Sequence, residues 1–119
     1  VTADAGLATA LSDAATAAGE TPHKGLYATY DAFYRDMFGI DEAGNTRANA
    51  MRRDMADRGV MAVDMETSAL LAAGQDLGLP VATLCYGTVD AISQQKLDPA
   101  ALARGERQLF RIALDAITG

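Results

Sequence analysis

The stretch GVMAVDMETSALL, residues 59–71, constrains the fold more than any other part of this sequence. Residues 60–63 form a brief apolar run of strand type. From Glu66 the pattern turns helical, with almost no chain between the two. A strand that passes straight into a helix is the repeating step of layered α/β folds. On the helix predicted over 66–77, Leu70, Leu71, Ala73 and Leu77 face one way, and Gly78 stops it. Asp64 and Glu66 flank Met65 at the junction. An Asp just ahead of a helix is ordinarily its N-cap, and a Glu in the first turn complements the helix dipole by about 0.3–1 kcal/mol. Acids there also stand where parallel α/β sheets bind ligands, outside the carboxyl end of a strand. On pattern alone both readings remain open.

The flanking chain repeats the alternation. Residues 3–18 carry Leu7, Ala10, Leu11, Ala14 and Ala18 at helical spacing, with Gly19 as the stop. After Pro22, residues 23–29 read as a short strand that begins at His23. A loop of about fifteen residues follows, from Tyr30 to Asn45, and loops that long are usually functional or disordered. Thr46 is placed to cap a helix over 47–58 that ends at Gly59. Pro80 opens VATLCYGTV, whose unbroken apolar character suits a strand buried on both faces, with Cys85 as a core thiol. The loop AISQQKL leads to Asp98 and Pro99, a cap and first-turn pair for a last helix running to about Ile117. The expected order is helix, strand, long loop, helix, strand, helix, strand, helix, an α/β architecture. Three strand ends would then share one edge, bringing Tyr30–Tyr34, the Asp64–Glu66 corner and Asp90 together.

Bulk properties narrow the function. A chain of 119 residues suits one domain with one core. The net charge of −6 removes the basic footprint that a nucleic-acid interface requires, yet leaves room for a small anionic ligand. A single cysteine excludes an internal disulfide and fits a reducing, cytoplasmic setting. No run approaches a membrane span. The apolar start lacks a basic region and carries three acids, so it reads as an amphipathic helix and not a signal peptide. No Cys/His metal spacing or serine-nucleophile motif occurs, and no metal is expected. His23 reads as structural, and the arginines over 47–58 read as a solvated helix face.

The segment GVMAVDMETSALLAAGQDLGLPVATLCYGTVD resembles the C-terminal part of the nucleoside phosphorylase family, the hexameric purine and uridine type. That family carries a Val-x-x-x-Glu-Met-Glu strand-to-helix junction. HKGLYATYDAFY is similar to its His-Val-Gly-x-x-x-Ser-x-Asp-x-Phe-Tyr segment, and GERQLFRIALDAI resembles its last helix. The three segments keep family order and cover nearly the whole chain. The resemblance implies a three-layer α/β/α fold with a mixed or parallel central sheet, of which residues 1–119 would be the C-terminal portion. It implies a pentosyltransferase that cleaves the N-glycosidic bond of (deoxy)ribonucleosides by phosphorolysis. Inorganic phosphate is then a co-substrate, no cofactor is needed, and assembly is a dimer-based homo-oligomer, up to a hexamer.

Site residues follow from the same resemblance. Glu66 would accept hydrogen bonds from the ribose hydroxyls, and Met65 would lie against the sugar. Val63 and Asp64 complete that substrate-binding corner, and Phe33 and Tyr34 would pack on the base. Asp90 would protonate the departing purine, with Arg107 approaching it. Asp64 stands where the family usually has Glu. The Gln-x-Arg pair of uridine-type members is missing, with Met37 and Gly39 in those places, which favours purines. Nothing in the chain resembles the family's Gly-rich phosphate loop, so these residues alone are expected not to turn over. A hydrolytic nucleosidase would share every one of these motifs. A nucleoside-binding module without turnover is the reading of a different class.

Overall fold

A computed structural model describes residues 1–32, 35, 39–90, 93 and 95–119. The described chain contains helix α1 (Ala5–Ala17), strand β1 (Leu26–Thr29), helix α2 (Glu42–Asp57), strand β2 (Val60–Asp64), helix α3 (Thr67–Leu77) and helix α4 (Pro99–Thr118). It is a mixed α/β fold with a two-stranded parallel sheet. The residues gather into two compact units, Val1–Lys24 with Leu70–Gly119, and Gly25–Ala69, where the length alone had pointed to one core. No described helix is long and apolar enough to cross a membrane.

In the Gly25–Ala69 unit the strands run parallel, so α2 lies in the crossover that carries the chain back to the same end of the sheet. Leu26 pairs with Val60, but Tyr27 pairs with Ala62, so Met61 is an extra residue. This bulge sets the register that places Thr29 opposite Asp64 at the carboxyl ends of the strands. A Cβ on Gly25 would press on the Met61 side chain, so the missing side chain makes room beside the bulge. Gly59, at φ 72°, takes the left-handed turn that ends α2 and delivers the chain into β2. Ala48 and Met55, seven residues apart on α2, are its buried apolar contribution.

Helix α2 starts earlier than the sequence indicates. Asp41 is its cap, with Oδ1 accepting from the Gly44 N–H at 2.6 Å, while the Thr46 hydroxyl donates to the Glu42 carbonyl inside the helix. Gly44 and Asn45 are poor helix formers and hide this first turn from a propensity argument. Their presence has a steric cause. A Cβ on Gly39 would overlap the Gly44–Asn45 backbone, and a Cβ on Gly44 would come within 3.1 Å of Gly39.

In the other unit α1 packs against α4. Ala15 and Ile112 are buried, and the Gln108 side-chain amide donates to the Ala18 carbonyl at 3.1 Å, closing the C-terminal end of α1. Gly105 allows Tyr86 against α4, because a Cβ there would overlap its ring. The opposite side of α4 leaves Phe110, Leu114 and Ile117 exposed at i, i+4 and i+7. Asp98 caps α4 through the Ala101 N–H, with Pro99 in the first turn, as its sequence indicates.

Three expectations are corrected here. The apolar run 81–88 is not a strand. Its half-buried part, residues 81–84, meets α1 and α3 segments instead: the Val81 carbonyl accepts from the Asp4 N–H, and the Val81 side chain fills the space beside Gly74. An apolar run records burial, but a strand also needs a neighbouring backbone edge. Cys85 lies in the exposed part of this segment and not in a core. The buried face of α3 is also different. Thr67, Leu71 and Gly74 turn inward, while Leu70 and Leu77 are exposed. The close approach of Val81 to Gly74 selects that face over the bulkier one.

Candidate active site

The β2–α3 corner is built from the end of the sheet upward. Asp64 is the last residue of β2 and lies opposite Thr29. The Thr29 hydroxyl donates to Asp64 Oδ1 at 2.8 Å and accepts from the Ser68 N–H at 3.1 Å. Asp64 Oδ1 also accepts the Thr67 N–H at 3.3 Å, and Oδ2 accepts the Thr67 hydroxyl. The Glu66 N–H faces the same carboxylate and favours its charged form. The Asp64 carbonyl accepts the Tyr30 N–H at 2.9 Å, extending the link between the strand ends by one residue.

This network fixes the electrostatics of Asp64. Partial burial pushes its carboxyl up, but the Thr67 and Thr29 hydroxyls and the Thr67 and Glu66 N–H groups together outweigh that and hold it below the ordinary carboxylate range. Asp64 therefore answers the first turn of α3 as a cap would, and its charge occupies the positive end of that helix. The helix N-terminus is taken by the chain's own carboxylate.

Met65 and Glu66 form the bend between Asp64 and α3, and both side chains are exposed. Glu66 lies between Asp64 and Thr67, which are hydrogen-bonded to each other, while its carboxylate has no hydrogen bond or ion pair among the described residues. The corner thus presents an acceptor whose main chain is fixed and whose oxygens are open to a ligand. Val63 is half-buried in β2 opposite Ala28.

The other predicted site residues are placed as follows. Phe33 and Tyr34 lie outside the described residues. Asp90 belongs to the Val1–Lys24 and Leu70–Gly119 unit, follows the isolated antiparallel bridge Val89–Lys96, and is not at the end of a third parallel strand. Its Oδ1 accepts the Ser93 N–H at 2.8 Å, and its own N–H donates to the Gln95 carbonyl at 2.9 Å. Arg107 is an exposed residue of α4. The expected shared edge of three strand ends is therefore reduced to two, those of β1 and β2.

Thr29 and Thr67 were not among the residues the sequence singled out. Asp64-x-x-Thr67 is a visible i, i+3 pairing of the kind that opens helices. Thr29 falls on the Ser position of the family segment that HKGLYATYDAFY resembles, but nothing local points to its partner, 35 residues away. Among the described residues no three His, Cys, Asp or Glu side chains gather into a metal-binding group.

A family model described as the phosphorylase superfamily matches residues 1–118. The chain belongs to the phosphorylase superfamily, in agreement with its nucleoside phosphorylase motifs. Activity in this superfamily is of the nucleoside phosphorylase or nucleosidase type, acting on small-molecule nucleosides. Comparison with curated proteins gives no match.

Proposed function

We propose that this chain carries the sugar- and base-recognising part of a nucleoside phosphorylase that acts on purine (deoxy)ribonucleosides and yields free base and pentose 1-phosphate. The observation that carries the proposal is the Glu66 corner: a carboxylate with no partner among the described residues, on a bend closed by the Thr67–Asp64 hydrogen bonds, in a chain of this superfamily.

Cleavage of an N-glycosidic bond develops positive charge on the sugar, with an oxocarbenium-like transition state. Glu66 accepts hydrogen bonds from the ribose hydroxyls and fixes the sugar in place. Such bonds to a charged acceptor contribute about 1.5–3 kcal/mol each. Met65 lies against the sugar, where an exposed, unbranched thioether adapts to its shape. Asp64 contributes through the corner it builds, since its oxygens are engaged by Thr29 and Thr67. Phe33 and Tyr34 pack on the base. Asp90 delivers a proton to the purine as it leaves, and Arg107 assists it. The N-terminus of α3 is filled by Asp64, so the phosphate co-substrate is held elsewhere. The fold of the whole catalytic domain is three-layered, its assembly a dimer-based homo-oligomer, and its setting cytoplasmic, as the family motifs and the single cysteine imply.

The test is base release from inosine, adenosine and uridine, with and without phosphate, by the longest natural chain that contains residues 1–119. Phosphate-dependent release from the two purine nucleosides is the expected result. Release without phosphate makes the enzyme a nucleosidase. A folded protein that releases no base overturns the enzymatic reading and leaves a binding module.

A further inference from the structure

We propose that Thr29 is a positioning residue of the sugar site, acting on Glu66 through Asp64. The inference rests on the reading of Glu66 as the ribose acceptor and goes beyond it by assigning a residue from a separate strand.

Three hydrogen bonds make the link continuous. The Thr29 hydroxyl donates to Asp64 Oδ1 at 2.8 Å, the same oxygen accepts the N–H of Thr67, the residue that follows Glu66, at 3.3 Å, and the Ser68 N–H closes back on the Thr29 oxygen at 3.1 Å. Thr29 uses its proton and a lone pair in opposite directions, so it joins the sheet to the first turn of α3. Nothing else of Glu66 is held, because its side chain has no partner among the described residues. The direction in which its carboxylate points is therefore set by the backbone of the corner. Thr67, buried, anchors the helix side of the same carboxylate. Thr29 anchors the strand side. A small tilt of the corner moves an acceptor at the end of a Glu side chain, and misplacement by about 1 Å at a reacting site lowers rate strongly.

The experiment uses the longest natural chain containing these residues and a double-mutant cycle between Thr29 and Glu66. Thr29→Val keeps the shape and removes the hydroxyl, and Thr29→Ser keeps the hydroxyl. We expect Thr29→Val to lower kcat/KM for a purine nucleoside by about tenfold and Thr29→Ser to stay within about threefold of the parent. In the Glu66→Gln background Thr29→Val should lower it by less than about twofold, because the interaction it supports is already gone. Equal losses in both backgrounds, or no loss in either, overturn the proposal. Should Thr29→Val fail to fold, Asp64→Asn takes its place in the cycle, with the same two outcomes. The underlying reading fails separately: it falls, and the positioning role with it, if Glu66→Gln leaves kcat/KM unchanged or if the parent protein releases no base.

Discussion

Asp64 and Asp90 close the same kind of local turn and are held in very different ways. Each accepts the N–H of the residue three positions on, Thr67 at 3.3 Å and Ser93 at 2.8 Å. Asp64 adds the Thr29 hydroxyl across the sheet and, through Thr29, the Ser68 N–H. Asp90 sits in a short antiparallel turn where its own N–H reaches Gln95 and Thr88 accepts from Leu97. The comparison teaches that an i, i+3 cap says little about a residue's task. The long-range partners turn Asp64 into part of the fold, whereas Asp90 stands exposed beyond a single bridge.

Exchanging the demands on the two aspartates tests this contrast. The largest effect is expected from Asp90→Asn. Asn keeps an oxygen for the Ser93 N–H but removes the acid, so kcat on purine nucleosides should fall by about 10²-fold or more while affinity and thermal stability hold. Steady-state kinetics beside a calorimetric melt measures this, and an unchanged kcat removes Asp90 from the reaction. Glu66→Gln comes next, with kcat/KM lowered by roughly 10- to 100-fold, the value of one or two charged hydrogen bonds, and an unchanged melting temperature. A clear drop in stability would mean that Glu66 serves the fold as well.

Asp64→Ala should reverse the pattern of Asp90, costing about 1–3 kcal/mol of stability because Thr29 and Thr67 lose a partner at a partly buried site. Urea denaturation reads it, and a cost near zero would return Asp64 to the surface category. Acid sharpens the same point. The folded-state carboxyl of Asp64 lies below its unfolded value, so its contribution is present above the unfolded pKa and is lost as pH falls through the folded one. Stability measured between neutral pH and about pH 3 should therefore fall less steeply in Asp64→Asn than in the parent. The smallest effect belongs to Asp98→Ala, about 1 kcal/mol, since it removes one helix cap with no partner beyond its own first turn. A loss as large as that of Asp64→Ala would erase the distinction between a local cap and one tied across a sheet.

Much of the chain's local structure is legible in its residues. Leu and Ala spacing gives α1, Asp98 and Pro99 start α4, and Gly59 and Gly78 end the helices before them, all because the interactions involved lie within one helical turn. The Met65–Glu66 corner is legible for the same reason, as an acid pair at a strand-to-helix junction. The start of α2 escapes notice because Gly44 and Asn45 weaken the helical signal, and the segment 81–88 misleads because apolar content reports burial without naming a backbone partner.

The sequence by itself determined the alternation of β1, α2, β2 and α3, the helix stops, the acid pair at the strand-to-helix junction and membership of the superfamily, since each is written in short spacings or in motif order. The tertiary structure alone decided that Met61 is a bulge, that Thr67, Leu71 and Gly74 form the inner face of α3, and that Thr29 holds Asp64. Those outcomes depend on which backbones come within hydrogen-bonding or van der Waals reach, and residues 35 positions apart acquire that relation only when the chain folds.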